Sequence, residues 1–479
     1  MILDEFENWY RERYRRTSSS LTTSFLILAD MISIMLCIGG GFFLIRIFYG
    51  GISFYSFVTY WPYLPAFIVI FLIYNLYPGT SLAPAEELRR ITYSSLIVHT
   101  GIILSRFIYY LEFDTVSAAF SVSFVFSIMG LLAGRSVMRR FLSVTGLGGI
   151  PAVIYGAGYT GRAVVDRLLA SKYAGYIPVL ILDDDIEKGS EYRGIPIIND
   201  TKLGPEIVRR FNIKMAIVAM PSLSQRPLKN LISYSVSAFR YNVLIPDIFS
   251  ITNIWMSVRD FGGILGFATS HRLNMFWNLW IKRLMDLSIT LIGSIILFPL
   301  LLCIVLLIKV SSPGPVLYSQ ERIGQKGKTF RTYKFRSMVS DADERLKELL
   351  AQDKRAREEW EQNQKLKNDP RITLIGKLLR KTSLDEIPQF INVLRGEMSL
   401  IGPRPIVKAE IKKYGSDFQR VFSIKPGLTG LWQVSGRSDT NYTDRVSFDT
   451  YYLQSWSVWL DIWIIGKTMG VILRGNGAY

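Results

Sequence analysis

The chain has very little cysteine and very little histidine. Its 479 residues include two cysteines, Cys37 and Cys303, and two histidines, His99 and His271. Both cysteines lie in apolar stretches, which argues against a disulfide framework and against a cysteine-rich zinc site. We expect both histidines to be structural. If the protein is an enzyme, its chemistry therefore falls to carboxylates, lysines and arginines.

Acidic residues are also in short supply. The chain has 39 aspartates and glutamates against 56 lysines and arginines, so its formal charge is +17. Hydrophobic residues make up 49% of the sequence, and the mean hydropathy is +0.23. A basic and apolar chain of this kind suits anionic lipid headgroups and phosphorylated substrates. These partners account for the charge, so no nucleic-acid partner is predicted.

Four apolar segments open the chain, near residues 24–48, 61–77, 91–110 and 116–133. Each has about 17–25 residues, the length that a helix needs to cross a bilayer. The basic residues lie before the first segment, between the second and third, and after the fourth: Arg11, Arg13, Arg15, Arg16, Arg89, Arg90, Arg135, Arg139 and Arg140. Because basic loops stay in the cytoplasm, residues 1–145 are predicted to form a four-helix transmembrane bundle with both ends cytoplasmic. A helical hairpin buried in a soluble core is the alternative.

A Rossmann-like, doubly wound domain is predicted for residues 146–260, where short apolar strands alternate with helices. Gly156, Gly158 and Gly161 lie between the first strand and its helix, and Asp183 ends the second strand. Glycines let the backbone approach a phosphate at the helix N-terminus, and an acidic residue at this spacing binds a ribose hydroxyl. The sequence leaves open a turn that has kept its shape and lost its ligand.

A fifth apolar segment, near residues 284–308, contains Pro299. If this segment crossed the membrane, the basic stretch after it would lie outside, against the charge rule. Proline removes an internal hydrogen bond and kinks a helix. We therefore predict a re-entrant helix, residues 281–309, that bends at Pro299 and is anchored at one interface by Lys282, Arg283 and Lys309. A straight fifth span is the alternative.

Charged and rigid motifs are concentrated in residues 261–479, the predicted α/β catalytic domain. Lys334 and Arg336 share one face of an alternating segment, and Arg404 lies between two prolines. Asp385 and Glu386 precede Pro388, which is well placed to start a helix that Gly396 ends. Arginine grips phosphate oxygens, and carboxylates hold Mg²⁺ or act as nucleophiles. The alternatives are a capping box between Ser383 and Glu386 and an ordinary salt bridge for Arg404.

Taken together, these residues resemble the catalytic domain of the bacterial sugar transferases, the monotopic phosphoglycosyl transferases. The resemblance covers residues 280–479, and the preceding segments resemble those of the large, polytopic members. It is carried by these pieces: Lys282-Arg283 with Asp286, Ser312–Pro315, Gln320–Gly324, Lys334–Met338, Leu379–Gln389, Gly402–Pro405 and Lys425–Gly430.

The resemblance implies a two-step reaction. Asp385 would attack the β-phosphate of a UDP-sugar, release UMP and carry the sugar phosphate until undecaprenyl phosphate takes it. Glu386 would help to hold Mg²⁺, so both carboxylates are predicted metal ligands. Lys334, Arg380 and Arg404 would bind phosphates, and Arg336, on the same face as Lys334, is predicted to bind them too. Pro299 would match the break in the re-entrant helix.

The same resemblance implies the setting of the reaction. It suggests galactose as the sugar, with glucose second, and a homodimer in the bacterial inner membrane. The catalytic and Rossmann-like domains would then lie on the cytoplasmic side. Two other classes stay open at this point. One is a membrane-tethered, NAD-dependent nucleotide-sugar epimerase or dehydratase that uses the Gly156 loop, and the other is a non-enzymatic scaffold for polysaccharide assembly.

Overall fold

The computed structural model divides into two compact units, residues 1–252 and 253–479, which are described separately. It describes residues 3–14, 19–50, 52–77, 83–170, 175–185, 190–245, 256–260, 265–269, 273, 275–311, 313–339, 341–353, 357, 369–435 and 442–474. Four residues that entered the sequence predictions lie outside the described residues: Arg15, Arg16, His271 and Ser312. The predicted three-domain bounds, 1–145, 146–260 and 261–479, stay predictions.

The first unit begins with five α-helices. They are α1 Leu3–Tyr14, α2 Ser19–Tyr49, α3 Leu64–Ile73, α4 Pro84–Tyr110 and α5 Thr115–Thr145. A 3-10 helix, Phe54–Tyr63, leads directly into α3. All four predicted apolar segments are helical, with bounds that differ by several residues, and each is long and apolar enough to cross a membrane. The four-helix transmembrane arrangement itself stays a prediction.

Small residues hold α2 and α5 close together. A Cβ on Gly41 would lie 2.2 Å from the Ser123 hydroxyl oxygen, and one on Gly134 would lie 2.1 Å from that of Ser33. Glycine lets two helix backbones approach in this way, which is the usual device for packing helices in lipid. Phe42 and Phe120 meet edge to face beside this contact, with ring centroids 5.5 Å apart.

A buried ion cluster joins three of the apolar helices. Arg135 on α5 is 1% exposed; its guanidinium lies 2.6 Å from an Asp30 carboxylate oxygen on α2 and 3.0 Å from Glu87 on α4. Arg139 also pairs with Glu87, at 2.6 Å. The charge pattern of the sequence places both arginines among the flanking charges. Arg135 is instead a buried partner of two carboxylates, and a buried charge of this kind requires such partners.

The unpredicted helix α1 packs on the α/β part of the same unit. Phe6 and Tyr10 lie against Phe211, with ring centroids 5.0 and 5.6 Å from it, and Asp4 pairs with Arg210 at 3.0 Å. The four apolar helices lie between α1 and Phe211 in the sequence. Because the two ends touch, these helices must cross any membrane an even number of times.

The α/β part is built on a six-stranded sheet. Its strands are β1 Ile150–Tyr155, β2 Tyr176–Leu182, β3 Glu191–Tyr192, β4 Ile195–Ile198, β5 Met215–Val218 and β6 Tyr241–Leu244, and its helices are α6 Tyr159–Ala170, α7 Gly204–Phe211 and α8 Gln225–Tyr234. The strand order is β3-β4-β2-β1-β5-β6, and all neighbours are parallel except β3 and β4. Five parallel strands in this order are the doubly wound arrangement that the sequence predicts.

The second unit combines one long apolar helix with small sheets and short helices. Its elements are β7 Met256–Asp260, β8 Leu265–Thr269, α9 Phe276–Ser311, β9 Leu317–Ile323, β10 Thr329–Phe335, α10 Ala342–Gln352, α11 Leu374–Lys381, α12 Phe390–Arg395, β11 Ser399–Ile401, α13 Ile411–Tyr414, α14 Phe418–Val421, β12 Gly427–Thr429, α15 Leu431–Ser435, α16 Tyr442–Ser455 and α17 Val458–Arg474. The pairs β7–β8 and β9–β10 are antiparallel, and β11–β12 is parallel.

Helix α9 is the fifth apolar helix and is continuous through Pro299. The re-entrant path therefore stays a prediction. The N-terminal half of α9 is fixed to the rest of the second unit by polar contacts. Lys282 is buried 2.9 Å from Asp461 of α17, and Arg283 donates to the Val393 and Leu394 carbonyls. The sequence pattern does not identify this buried carboxylate partner of Lys282, and the anchoring of α9 at a membrane interface stays a prediction.

Candidate active site

A left-handed residue sets the position of the two predicted catalytic carboxyls. Ser383 has φ of 57° and precedes a 3-10 helix, Leu384–Gln389, with Asp385 and Glu386 in its first turn. The Ser383 side chain makes no capping hydrogen bond, so the capping-box alternative is wrong. The prediction that Pro388 starts the helix is also wrong: it lies inside the 3-10 helix, and α12 begins at Phe390. The predicted end at Gly396, φ 80°, is confirmed.

Glu386 is held by two cations, one from β10 and one from the loop after β11. The Lys334 ammonium of β10 donates to its Oε1 at 2.6 Å, and the Arg404 guanidinium lies 3.9 Å from the same oxygen. Burial raises the pKa of Glu386, but Lys334 and Arg404 outweigh burial and hold the pKa below its usual range. Glu386 is therefore a stable carboxylate at neutral pH.

Asp385 is in the opposite electrostatic position. Burial and the neighbouring Glu386 carboxylate raise its pKa, while Lys334 and Arg380 oppose the rise without cancelling it. An ionised Asp385 is thus less stabilised than its neighbour. A carboxylate with little stabilisation of its charge is a suitable nucleophile toward phosphorus.

A polar cavity opens beside Glu386. It is lined by Arg322, Thr332, Lys334, Glu386, Gln389, Arg404, Pro405, Gly427, Leu428 and Gln433. Three of these residues are cations and only one is an anion, so the cavity favours phosphate groups. Arg322 was not among the predicted phosphate-binding residues. The sequence pattern that could have identified Arg322 is the alternation of side chains along β9, which puts Gln320 and Arg322 on one face of the strand.

The other two predicted cations lie in different surroundings. Arg380, on α11, donates its Nε hydrogen to the Ser337 hydroxyl at 2.9 Å, and its charge acts on Asp385. Arg336 donates to the Pro313 carbonyl at 3.1 Å. The structure therefore brings Lys334, Arg380 and Arg404 to the two carboxyls. It ties Arg336 to the loop before β9, and the phosphate-binding role of Arg336 stays a prediction.

The site suits a magnesium ion that is shared with a substrate. Among the residues that the structure describes, no three His, Cys, Asp or Glu side chains gather as a metal site. Magnesium typically takes one or two protein carboxylates and completes its shell with water and substrate phosphates. Asp385 and Glu386 offer hard oxygen donors beside a phosphate-binding cavity, so they fit this pattern.

The predicted nucleotide loop of the first unit has the expected shape. Gly156 has φ of 104°, and a Cβ on Gly161 would lie 1.8 Å from the Gly156 carbonyl oxygen, so the helix can approach only because residue 161 is glycine. Space around Gly158 is open. Asp183, however, accepts hydrogen bonds from the Ala157 and Asp185 amides, at 2.7 and 3.0 Å. A ribose would have to share or displace these contacts, and the ligand of this loop stays a prediction.

Two family profiles match parts of the chain. The profile described as "Bacterial sugar transferase" matches residues 277–475, which include all of the candidate active site. The profile described as "CoA-binding domain" matches residues 73–237, which include the Gly156 loop.

Curated relatives match more of the chain than either profile does alone. An undecaprenyl-phosphate galactose phosphotransferase of Salmonella typhimurium is 38% identical over 348 residues, 72% of each chain. A UDP-galactose-lipid carrier transferase of Erwinia amylovora is 37% identical over 358 residues, 72% of this chain and 73% of the relative. A UDP-glucose:undecaprenyl-phosphate glucose-1-phosphate transferase of Escherichia coli is 30% identical over 383 residues, 77% of this chain and 78% of the relative.

Proposed function

This membrane protein is an enzyme of the bacterial sugar transferase family, and from that premise we propose that it transfers galactose 1-phosphate from UDP-galactose to undecaprenyl phosphate and releases UMP. The observation that carries the proposal is the gathering of Lys334, Arg322 and Arg404 around the Glu386 carboxylate, next to Asp385. This arrangement places a nucleophile beside an anion-binding cavity.

The reaction proceeds in two displacements at phosphorus. In the first, an Asp385 carboxylate oxygen attacks the β-phosphorus, and the bond from that phosphorus to the bridging oxygen breaks. The bridging oxygen leaves with UMP, and the sugar phosphate stays on Asp385 as an acyl phosphate. In the second, a phosphate oxygen of the lipid attacks the same phosphorus and displaces the Asp385 carboxylate, which restores the enzyme.

The neighbouring residues have distinct parts in this scheme. Lys334 and Arg404 bind phosphate oxygens and neutralise the charge that gathers on UMP as it leaves. Arg380 opposes the rise in the pKa of Asp385, so that more of this carboxyl is ionised. Asp385 and Glu386 would hold a magnesium ion, which when bound supplies further positive charge at the two phosphates.

The sugar is proposed from the relatives, with glucose as the second candidate. The two galactose transferases are 38% and 37% identical to this chain, and the glucose transferase is 30% identical. Parallel assays with UDP-galactose and UDP-glucose decide between them. A kcat/KM at least ten-fold higher for UDP-glucose would replace galactose with glucose.

The setting of the reaction is part of the proposal. We place the enzyme in the bacterial inner membrane as a homodimer, with both the catalytic and the Rossmann-like parts facing the cytoplasm, where UDP-sugars are made. The contact of α1 with α7 supports an even number of crossings before the sheet. Light scattering of the detergent-purified protein, with detergent mass subtracted, tests the dimer.

The central experiment measures UMP release by the purified protein with UDP-galactose and Mg²⁺. Wild type should release about one UMP per active site without undecaprenyl phosphate and turn over continuously when it is added. Asp385→Asn should release none, whereas the exposed-carboxyl control Asp444→Asn should behave as wild type. Continuous turnover by folded Asp385→Asn at the wild-type rate would refute the covalent scheme.

A further inference from the structure

An apolar cavity lies beside the polar one in the second unit. It has a volume of about 370 Å³, and the side chains that surround it include Leu301, Val305, Phe335, Ile387 and Ile391. Since an apolar cavity of roughly 150 Å³ can hold one benzene molecule, this one has room for on the order of ten carbon atoms. Its size and lining suit a branched hydrocarbon.

One wall of the cavity is a stripe along α9. Ser294, Leu301 and Val305 are spaced by seven and four residues, which puts them on one face of the helix over about 16 Å. Just before the stripe, Gly293 leaves room for the Phe390 ring, which a Cβ there would meet at 3.4 Å. Since α9 is apolar enough for a bilayer, this wall brings the cavity within reach of a lipid.

The opposite wall is shared with the active site. Successive residues of a strand point to opposite sides: on β10, Lys334 lines the polar cavity and Phe335 the apolar one. The 3-10 helix repeats the division, because Glu386 borders the polar cavity and Ile387 the apolar one. The two cavities are therefore separated by a partition only one strand and one helical turn thick.

This pairing selects an occupant with two parts of different chemistry. We propose that the apolar cavity binds the first isoprene units of the polyprenyl-phosphate acceptor, so that the phosphate of the same molecule reaches Asp385. The inference rests on the proposed function, which supplies an acceptor with a phosphate at the end of an isoprenoid chain. A phospholipid acyl chain would also fit an apolar cavity, but nothing about it requires a place beside the carboxyl dyad.

Filling the cavity tests the assignment. Val305→Trp introduces an indole into it, and Leu306→Trp adds the same group at the next, exposed position of α9, outside the cavity. The rate of sugar-phosphate transfer to the acceptor is measured for each variant. It is divided by the amplitude of UMP release that the same variant gives without acceptor. This amplitude reports folding and the first displacement, so failure of the proposed function is seen as its absence in wild type.

We expect Val305→Trp to raise the acceptor KM about ten-fold or more. The indole would displace part of the isoprenoid chain, and leaving about two of its carbons in water weakens binding by about that factor. Leu306→Trp should remain within two-fold of wild type. Wild type should also prefer farnesyl phosphate to butyl phosphate strongly, and Val305→Trp should lose most of this preference. If Val305→Trp does not fold, Ser294→Leu, a smaller addition at the same wall, takes its place.

Two results would overturn the assignment. In one, the filled variants keep the wild-type acceptor KM and the wild-type preference for the longer chain. In the other, they change only the thermal stability conferred by phosphatidylglycerol, which would assign the cavity to a bilayer acyl chain.

Discussion

At the scale of single residues, the dyad works through an asymmetry between two adjacent carboxyls. The pKa of Glu386 is lowered by Lys334 and Arg404 against the effect of burial, and that of Asp385 is raised by burial and by Glu386. Neighbouring acids whose pKa values are pushed apart commonly have different roles. Glu386 is suited to a fixed charge, and Asp385 to bond formation.

Among the cations of the polar cavity, Lys334 is the one whose removal should slow UMP release most. Lys334→Met takes away the ammonium 2.6 Å from Glu386 and a phosphate ligand at the same time. We expect UMP release to slow by at least about 100-fold, as when one oxyanion donor is lost. Arg336→Met should slow it less than ten-fold, since Arg336 contacts the Pro313 carbonyl.

Stopped-flow measurement of UMP release checks this order, with the exposed Lys328→Met as the matched control. Equal losses for Lys334→Met and Arg336→Met would show that Arg336 moves to the phosphates when substrate binds.

A second residue-scale prediction concerns Asp449, which lies on α16 in the second unit. It is 1% exposed and accepts a hydrogen bond from Tyr414 at 2.9 Å; burial raises its pKa to about 7 despite nearby Arg445. The folded state thus binds a proton that the unfolded chain, with a pKa of about 4, releases. Stability is therefore highest below pH 4 for this group and falls as the pH rises toward 7.

The expected loss is at most about 4 kcal/mol across that window. Thermal unfolding in detergent should give a wild-type Tm that falls between pH 5 and 7.5, and Asp449→Asn should fall by clearly less. The comparison is between the slopes of Tm against pH. A constant change in Tm caused by the asparagine amide therefore does not affect it. Parallel slopes for the two proteins would show that Asp449 is ionised throughout.

At the scale of elements, a buried ion pair holds α9 to the rest of the second unit. The Lys282 ammonium lies 2.9 Å from Asp461, which also accepts from the Tyr452 hydroxyl and the Trp456 indole. A buried charge left without its partner is costly, even though the pair as a whole contributes little. The pair therefore fixes where α9 meets α17 more than it stabilises the protein.

This view predicts a non-additive pair of substitutions. Lys282→Met should destabilise by about 3–5 kcal/mol because it leaves Asp461 buried and unpaired. Adding Asp461→Asn should recover at least half of that loss, since the second change removes the charge. Lys309→Met, at the other, exposed end of α9, is the control. Urea unfolding in detergent measures the effects, and strictly additive losses would mean that the two residues do not interact.

How far the sequence could predict this architecture depends on the range of the interaction. The apolar helices, the parallel sheet and the Gly396 helix end follow from local periodicity and turn chemistry. The partner of Lys282 is 179 residues away, and no local pattern identifies it. The indole of Trp456, which is 3% exposed, donates to the same buried Asp461.

The sequence also predicts one part of the candidate site and not another. Asp385, Glu386, Lys334 and Arg404 were all found from motifs, and the structure brings them together. The left-handed conformation of Ser383 was not found, because serine rarely adopts it and nothing in its neighbours demands it. The Glu386 side chain accepts a hydrogen bond from Lys334, whereas a capping box would have paired it with the backbone amide of Ser383.

At the scale of the whole molecule, the contact between α1 and α7 constrains the path of the chain across a membrane. Phe6 packs on Phe211, so the segments before and after the four apolar helices lie on one side. The rule for basic residues predicts that this side is the cytoplasm. The side on which the second unit lies then depends on α9 alone. A re-entrant α9 keeps it in the cytoplasm, and a straight α9 exports it.

Cysteine labelling decides between these paths. In a background without Cys37 and Cys303, single cysteines replace Glu112 between α4 and α5, the exposed Ser233 on α8, and the exposed Lys412 on α13. A membrane-impermeant maleimide added to intact spheroplasts should label Glu112→Cys. Ser233→Cys and Lys412→Cys should be labelled only after the membrane is opened, because a re-entrant α9 leaves both of these positions on the cytoplasmic side.

The pattern of labelling separates the possible errors. If Lys412→Cys is labelled in intact spheroplasts while Ser233→Cys is protected, α9 crosses the membrane and Pro299 does not turn it back. The active site would then lie away from cytoplasmic UDP-sugars, and the proposed donor would be wrong for that side. If Ser233→Cys is labelled and Glu112→Cys is protected, the orientation of the four helices is reversed. Replacing Pro299 with leucine provides the last comparison, because a helix turned back by this proline should expose Lys412→Cys once the proline is removed.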